Sequence, residues 1–185
     1  EKDRHDATCR FCDTDFVGTN GVNGGKFSDA PALARAVFAQ WPAGRERAPS
    51  KNARSAQGRP YVVCTGGEPL LQLDGAAIEA LHDVGFEVGI ETNGTLLPPP
   101  GIDWICVSPK ADAEQKLMRG DELKLIFPQE GAPPERFASQ DFKNFFLQPM
   151  DNADRQANTE AATAYCLTHP QWRLSLQTHK LIGIR

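Results

Sequence analysis

Residues 61–69 read Tyr-Val-Val-Cys-Thr-Gly-Gly-Glu-Pro. The four apolar residues at 61–64 predict a short buried strand, and the two glycines and the proline that follow predict that it ends in a tight turn. Adjacent glycines directly after a strand let the backbone approach a ligand closely, and Glu68 adds a carboxylate acceptor. Taken alone, the pattern is also typical of an ordinary turn, so its meaning depends on the rest of the chain.

Further strands and helices are predicted on the carboxyl side of this run. Five more short apolar runs lie at 87–91, 104–108, 123–127, 145–150 and 173–176, and helical patterns lie at 28–41, 74–84 and 159–168. Alternation of helices with near-continuous apolar strands predicts an α/β fold with a parallel sheet. The links 91–104 and 108–123 leave little room for long helices. We therefore predict a partial (reduced) TIM-like β/α barrel rather than a full eightfold one.

Composition narrows the class of protein. The chain has 185 residues, of which 40% are hydrophobic and 24% charged, and this predicts a single domain over 1–185. The net charge of -4 and the lack of a long apolar run argue against nucleic-acid binding and a membrane span, so we expect a cytoplasmic protein. The loop-like start at Glu1 leads us to expect a missing N-terminal segment. Residues 42–60 are predicted to form a basic loop insertion.

Polar residues follow several of the predicted strands. Ligands in parallel α/β folds gather beyond the carboxyl ends of the strands, so these residues are the first candidates for a site. They lie at 65–69, 91–94, 108–110 and 148–151. We expect all of them to line one rim of the sheet.

The chain has five cysteines, and only Cys9 and Cys12 lie close together in sequence. Their spacing occurs in zinc sites, thioredoxin-like centres and iron-sulfur clusters. Zinc would require a second pair of ligands, and no other close Cys/His pair is present. A thioredoxin-like centre would lie at a strand-helix junction, whereas Cys12 leads into a Gly-rich loop. A cluster with one open iron needs a third cysteine, which could lie before Glu1. The pair alone leaves zinc and a cluster open.

The combination of Cys9-x-x-Cys12 with a later strand that ends in Gly66-Gly67-Glu68-Pro69 resembles the radical S-adenosylmethionine superfamily. That resemblance implies a [4Fe-4S] cluster held by three cysteines, with the methionyl amine and carboxylate of S-adenosylmethionine on the fourth iron. One-electron reduction then yields a 5'-deoxyadenosyl radical that abstracts hydrogen from the substrate.

Within this superfamily the chain is most similar to the 7-carboxy-7-deazaguanine synthase family. The signatures that carry the resemblance lie at 9–14, 64–69, 91–95 and 148–151, with further similarity at 108–110 and 121–125. The family is a carbon-nitrogen lyase of queuosine biosynthesis. It converts 6-carboxy-5,6,7,8-tetrahydropterin to 7-carboxy-7-deazaguanine, a 7-deazapurine, with ring contraction and loss of ammonia.

The resemblance also implies roles for individual residues. Cys9 and Cys12 would bind the cluster, and Thr14 would bind Mg²⁺ through its hydroxyl. The residues implied to contact S-adenosylmethionine are Phe11, Cys12, Asp13, Gly67, Ser108, Pro109, Lys110, Gln148, Pro149, Met150 and Asp151. Those implied to contact the pterin are Thr65, Glu91, His179 and Arg185. Glu91 could instead pair with Lys110. No residue is assigned a catalytic role.

The same resemblance implies partners and exposes one departure. It implies a homodimer and an electron donor such as flavodoxin. The first cluster cysteine is absent from this chain, and some family members place it more than about ten residues before the pair. Two alternatives stay open: an activating enzyme that makes a glycyl radical on a partner protein, and a zinc-stabilised module that binds nucleic acid through its basic loop.

Overall fold

A computed structural model describes residue 21 and residues 23–41 and 60–183. The predictions for Cys9–Thr14, for the loop at 42–59 and for Arg185 lie outside these residues. The chain divides into two compact units. Unit 1 contains the described residues up to Glu91 together with Leu97–Trp104, and unit 2 contains Thr92–Leu96 and the residues from Ile105 onward. The single domain over 1–185 stays a prediction.

Six strands form the sheet. They are β1 (Tyr61–Cys64), β2 (Glu87–Thr92), β3 (Trp104–Val107), β4 (Arg119–Phe127), β5 (Asp141–Pro149) and β6 (Trp172–Leu174). Their order in the sheet is their order in the sequence. The pairings β1-β2, β3-β4, β4-β5 and β5-β6 are all parallel. In the described part of the chain the strand order does not return from β6 to β1. The predicted α/β fold is confirmed, and an open sheet of six strands is consistent with a partial barrel.

All six predicted strands are present, but β4 and β5 begin earlier than expected. Their first halves are polar, so the hydrophobic pattern gave no sign of them. In the structure these halves pair with each other, with Arg119 opposite Asp141 and Glu122 opposite Asn144. Backbone hydrogen bonding therefore extends the strands beyond their apolar parts.

The helices are α1 (Ala30–Ala39), α2 (Gly75–Asp83), α3 (Arg155–Thr168) and α4 (Thr178–Leu181). The first two begin at capping aspartates, as their sequences indicate. Asp29 accepts a hydrogen bond from the Ala32 amide at 2.7 Å, and Asp74 accepts one from the Ala77 amide at 2.8 Å. Such caps stabilise a helix start by about 1 kcal/mol. The short α4 was not predicted. Among the described residues, no helix has the length and apolar character that crossing a membrane requires.

Each unit has its own hydrophobic core. In unit 1, α1 and α2 contribute to a cluster that consists of Ala34, Ile78, Ala80, Leu81, Phe86 and Val88. In unit 2, the cluster centres on Leu123, Leu125 and Leu147, none of which has measurable solvent exposure. Because these side chains lie on β4 and β5, the core fixes β5, whose carboxyl end carries predicted site residues, together with its neighbour β4.

Candidate functional site

In unit 1 the turn after β1 is formed by glycine conformations. Gly66 has φ 82° and Gly67 has φ 51°, both in the left-handed region that other residues rarely adopt. Thr65 and Gly67 are exposed, whereas Pro69 is buried. One Glu68 carboxylate oxygen accepts a hydrogen bond from the Leu70 amide at 3.1 Å and caps a 3₁₀ helix, Pro69–Leu71. The turn therefore presents open backbone at the carboxyl end of β1.

The strand register in unit 1 brings two predicted substrate residues to neighbouring strand ends. Cys64 lies opposite Ile90, so Thr65 and Glu91 are the next residues on the paired strands β1 and β2. Glu91 is half-buried. Burial raises the pKa of the Cys64 thiol, which keeps it protonated at neutral pH. Cys64 accordingly serves as a packing residue at the base of the turn.

In unit 2 the predicted motif after β2 forms a turn that its own side chains hold. The Thr92 hydroxyl accepts a hydrogen bond from the Gly94 amide at 3.1 Å, and the Asn93 side-chain oxygen accepts one from the Thr95 amide at 2.9 Å. Gly94 has φ 79°, and a Cβ there would lie 2.8 Å from a Val107 methyl carbon. The Thr92 carbonyl accepts a hydrogen bond from the Ser108 amide at 2.8 Å. This turn is thereby joined to the end of β3.

The loop after β3 contains three predicted cofactor residues. The Lys110 ammonium donates hydrogen bonds to the carbonyl and the hydroxyl of Ser108, at 2.7 and 2.8 Å. The Pro109 side chain is fully buried. The Gln129 side chain accepts a hydrogen bond from the Ala111 amide at 3.0 Å and donates one to the Pro109 carbonyl at 3.4 Å. The structure therefore brings Ser108 and Lys110 together and adds Gln129, which the sequence analysis missed.

A sequence signal for Gln129 was available. The residue follows Phe127 and Pro128, directly beyond the carboxyl end of β4. Because ligands in parallel α/β folds gather beyond the carboxyl ends of the strands, this position marks Gln129 as a candidate site residue.

The predicted residues at 148–151 lie at the end of β5. The Met150 amide donates to the Phe127 carbonyl at 2.8 Å, and the Asn158 side chain donates to the Met150 carbonyl at 3.0 Å. The Asp151 carboxylate forms a salt bridge with Lys180 and lies 3.8 Å from an Arg155 nitrogen. Asn158 is buried in α3 and was not identified from sequence.

The C-terminal helix α4 carries His179 at the same end of unit 2. His179 is exposed, and its neighbour Lys180 is the partner of Asp151. That salt bridge fastens α4 to the residue that follows β5 and Met150. The structure thus places a predicted substrate residue, His179, on a helix tied to a predicted cofactor residue, Asp151.

The predicted metal ligands Cys9, Cys12 and Thr14 lie outside the described residues. Within the described ranges, no group of three or more His, Cys, Asp or Glu side chains could hold a metal ion. Among the described residues, Cys64, Cys106 and Cys166 form no disulfide, and burial raises the pKa of the thiols of Cys64 and Cys166. The assignment of the cluster to Cys9 and Cys12 therefore stays a prediction.

The described residues do suit S-adenosylmethionine. A methionyl group carries an ammonium and a carboxylate, and both can hydrogen-bond to backbone carbonyls and amides. In unit 1 the turn at Gly66 and Gly67 offers such backbone groups. In unit 2 Ser108 and Lys110 offer a hydroxyl and an ammonium. Each set, taken by itself, offers hydrogen-bonding groups of the kind that a methionyl group requires.

Comparison with known proteins gives close relatives. No protein-family model matches the chain. A 7-carboxy-7-deazaguanine synthase from Caulobacter vibrioides is 61% identical over 184 residues, which cover 100% of this chain and 82% of that protein. One from Bordetella pertussis is 60% identical over 187 residues, with the same coverage. The solved structure of QueE from Escherichia coli has a TM-score of 0.57 and 26% identity, covering 80% of this chain and 63% of that one.

Proposed function

The chain belongs to the 7-carboxy-7-deazaguanine synthase family of radical S-adenosylmethionine enzymes, and from this premise we propose that it converts 6-carboxy-5,6,7,8-tetrahydropterin to 7-carboxy-7-deazaguanine. The reaction contracts the ring and releases ammonia. The observation that carries the proposal is the 61% identity to a synthase across the whole of this chain. These relatives favour the synthase over a glycyl-radical activating enzyme or a zinc-stabilised module.

We assign the cofactors to residues by the family signatures. Cys9 and Cys12 would hold the [4Fe-4S] cluster. When bound, the cluster and S-adenosylmethionine supply a 5'-deoxyadenosyl radical that removes a hydrogen atom from the substrate. The residues proposed to contact S-adenosylmethionine are Phe11, Cys12, Asp13, Gly67, Ser108, Pro109, Lys110, Gln148, Pro149, Met150 and Asp151.

The described residues support several of these assignments. Gly67 offers exposed backbone, and Lys110 is held against Ser108 by two hydrogen bonds. Preformed donors of this kind lower the entropy lost on binding. Lys180 already contacts the Asp151 carboxylate, so a contact between that carboxylate and the cofactor would share or replace the salt bridge.

Substrate binding is proposed to involve Thr65, Glu91, His179 and Arg185. Thr65 and Glu91 follow paired positions on β1 and β2, which supports a shared role in unit 1. The Thr14 hydroxyl is proposed to bind Mg²⁺, a hard cation that prefers oxygen ligands and could hold the carboxylate of the pterin. We expect Thr14→Ala to weaken the Mg²⁺ dependence of turnover while iron content stays unchanged. An unaltered Mg²⁺ response would contradict this assignment.

Partners are proposed by the same resemblance. The enzyme would act in the cytoplasm as a homodimer and receive its electron from a donor such as flavodoxin. Sedimentation of the reconstituted protein tests the dimer. Turnover with reduced flavodoxin in place of a chemical reductant tests the donor.

The deciding experiment uses the full-length protein, reconstituted anaerobically with iron and sulfide. It is supplied with S-adenosylmethionine, reductant, Mg²⁺ and 6-carboxy-5,6,7,8-tetrahydropterin, and the products are identified by mass. We expect 7-carboxy-7-deazaguanine from the wild type and none from a Cys12→Ala control that lacks a cluster ligand. Formation of 5'-deoxyadenosine alone would contradict the substrate. Formation of neither product with an intact cluster would contradict the enzyme class as well.

A further inference from the structure

We propose that Gln129 is a positioning residue for S-adenosylmethionine, because its buried side-chain amide fixes the backbone of the loop at 108–111. The inference rests on the proposed function, which places Ser108–Lys110 at the cofactor. Gln129 itself is not proposed to touch the cofactor. It acts through the loop that does.

The Gln129 side chain holds the loop at 108–111 through two hydrogen bonds. The residue is 9% exposed and lies two positions after the end of β4. Its side-chain oxygen accepts from the Ala111 amide at 3.0 Å, and its side-chain nitrogen donates to the Pro109 carbonyl at 3.4 Å. Both polar ends of the side chain thus bind backbone on either side of Lys110.

The loop depends on such a partner for a chemical reason. Pro109 has no backbone N–H, so the loop has one amide fewer with which to hold itself. The buried Pro109 ring anchors its centre, and Lys110 folds back onto Ser108. The Pro109 carbonyl and the Ala111 amide set the direction in which the Lys110 side chain leaves the backbone. Gln129 satisfies both groups.

Buried polar side chains in the described ranges show a common placement that supports this reading. They are Thr92, Gln129 and Asn158. Thr92 binds the Gly94 amide after β2, Gln129 binds the loop after β3, and Asn158 binds the Met150 carbonyl after β5. Burying a polar group is unfavourable unless it is hydrogen-bonded, and here each one is used to fix backbone beyond a strand's carboxyl end.

The first test measures the loop directly, without any cofactor. Amide hydrogen exchange is followed in the full-length wild type and in Gln129→Met and Gln129→Glu. Methionine fills a similar volume but removes both hydrogen bonds, whereas glutamate keeps an oxygen for the Ala111 amide. We expect exchange at Ala111 to rise roughly tenfold in Gln129→Met and much less in Gln129→Glu, with the β4 and β5 amides unchanged.

The second test measures cofactor binding in the reconstituted enzymes. We expect the KM and the calorimetric Kd for S-adenosylmethionine to rise roughly 3- to 10-fold in Gln129→Met, with kcat within about twofold of wild type. The KM and Kd of Gln129→Glu should lie between those of wild type and Gln129→Met. Gln171→Met is the matched control, since the Gln171 side chain donates to the Ala138 carbonyl at 2.7 Å on an exposed surface. Its Kd should equal that of wild type.

Two results would overturn the inference. One is an unchanged Kd for S-adenosylmethionine despite faster exchange at Ala111. The other is an equal loss of affinity in Gln129→Met and Gln171→Met, which would indicate general destabilisation. The Kd needs no pterin turnover. A wild type that binds S-adenosylmethionine but makes no 7-carboxy-7-deazaguanine would therefore contradict the proposed function and leave the role of Gln129 to be decided by its own variants.

Discussion

The turn after β1 in unit 1 and the loop after β3 in unit 2 take opposite routes to a defined shape. The turn takes its shape from Gly66 and Gly67, whose φ values of 82° and 51° few other residues adopt. The loop has a buried proline and is held by Gln129, 20 residues after Pro109. The shape of the turn is determined by its own residues, whereas the shape of the loop is determined by a side chain that lies beyond the end of β4.

This difference teaches what each segment can offer a ligand. A glycine turn exposes amides and carbonyls, which suits hydrogen bonds from backbone. In the loop after β3, the Ala111 amide and the Pro109 carbonyl are hydrogen-bonded to Gln129, so the loop offers the side chains of Ser108 and Lys110 instead. The turn in unit 1 can therefore bind a ligand through backbone groups, whereas the loop in unit 2 can bind one through side chains.

The largest effect is expected for a glycine substitution in unit 2, which tests whether glycine conformation shapes the turn after β2 as it does the turn after β1. Gly94→Ala combines a φ of 79° with a Cβ 2.8 Å from a Val107 carbon. We expect it to lower the free energy of unfolding by about 2–4 kcal/mol, because left-handed strain and overpacking add. Urea denaturation measures this. A loss under about 0.5 kcal/mol would mean that the turn relaxes and that glycine is not what shapes it.

A smaller effect is expected at the turn of unit 1. Gly67→Ala forces a side chain into a left-handed conformation, so it should lower the free energy of unfolding by about 1–2 kcal/mol and weaken S-adenosylmethionine binding. Gly75→Ala is the control, since it lies at the start of α2 and a Cβ there meets nothing within 4 Å. The control should be neutral or slightly stabilising. Equal stability and equal S-adenosylmethionine affinity of the two variants in calorimetry would mean that the turn, unlike the loop, does not depend on particular residues for its shape.

Asp121 provides a long-range anchor away from the carboxyl ends of the strands. Its carboxylate accepts hydrogen bonds from the Ile105 amide at 2.9 Å and from Lys143 at 2.7 Å. Burial raises the pKa of this carboxyl, but the hydrogen bonds from Lys143 and Ile105 outweigh it, and the pKa is lowered below 3.8.

A lowered pKa in the folded state means that Asp121 stabilises the protein at neutral pH and loses this effect as pH falls through 3.8 and below. Asp121→Asn should therefore lower the free energy of unfolding by at most about 1 kcal/mol at pH 7, and the difference from wild type should shrink in acid. Urea denaturation across pH measures it. The Kd for S-adenosylmethionine should not change. A raised Kd would show that anchors at either end of the strands affect the cofactor.

The smallest effect concerns reactivity rather than stability. Burial raises the pKa of the Cys64 thiol, so Cys64 should be alkylated more slowly than a cysteine in a free peptide, with a pH midpoint above 9.0. Peptide mass spectrometry after timed alkylation reads this residue separately. In Gly67→Ala the rate should rise, because a strained turn opens more often over Cys64. An identical rate in the two proteins would indicate that the turn does not shield the thiol.

Sequence reasoning succeeded where structure is encoded locally. The strand at Tyr61–Cys64 and the helix that Asp29 caps were predicted from neighbouring residues, and both are present. The polar first halves of β4 and β5 were missed because they are stabilised by each other. Asn158 was missed for the same reason, since it binds the Met150 carbonyl from another element. The position of Gln129 beyond β4 was visible in the sequence, but its contacts with the loop after β3 were not. The contacts that the sequence could not predict are strand pairings and hydrogen bonds between residues far apart in the chain.

The order of the strands in unit 2 also bears on how the protein is made. There β3 pairs with β4, β4 with β5 and β5 with β6, so each strand lies beside the one translated just before it. A nascent chain leaves the ribosome from its amino end, and every new strand would find its neighbour already synthesised. Parallel sheets are prone to slow folding and to exposed edges, and in this unit each new strand can add to the edge that the preceding strand presents.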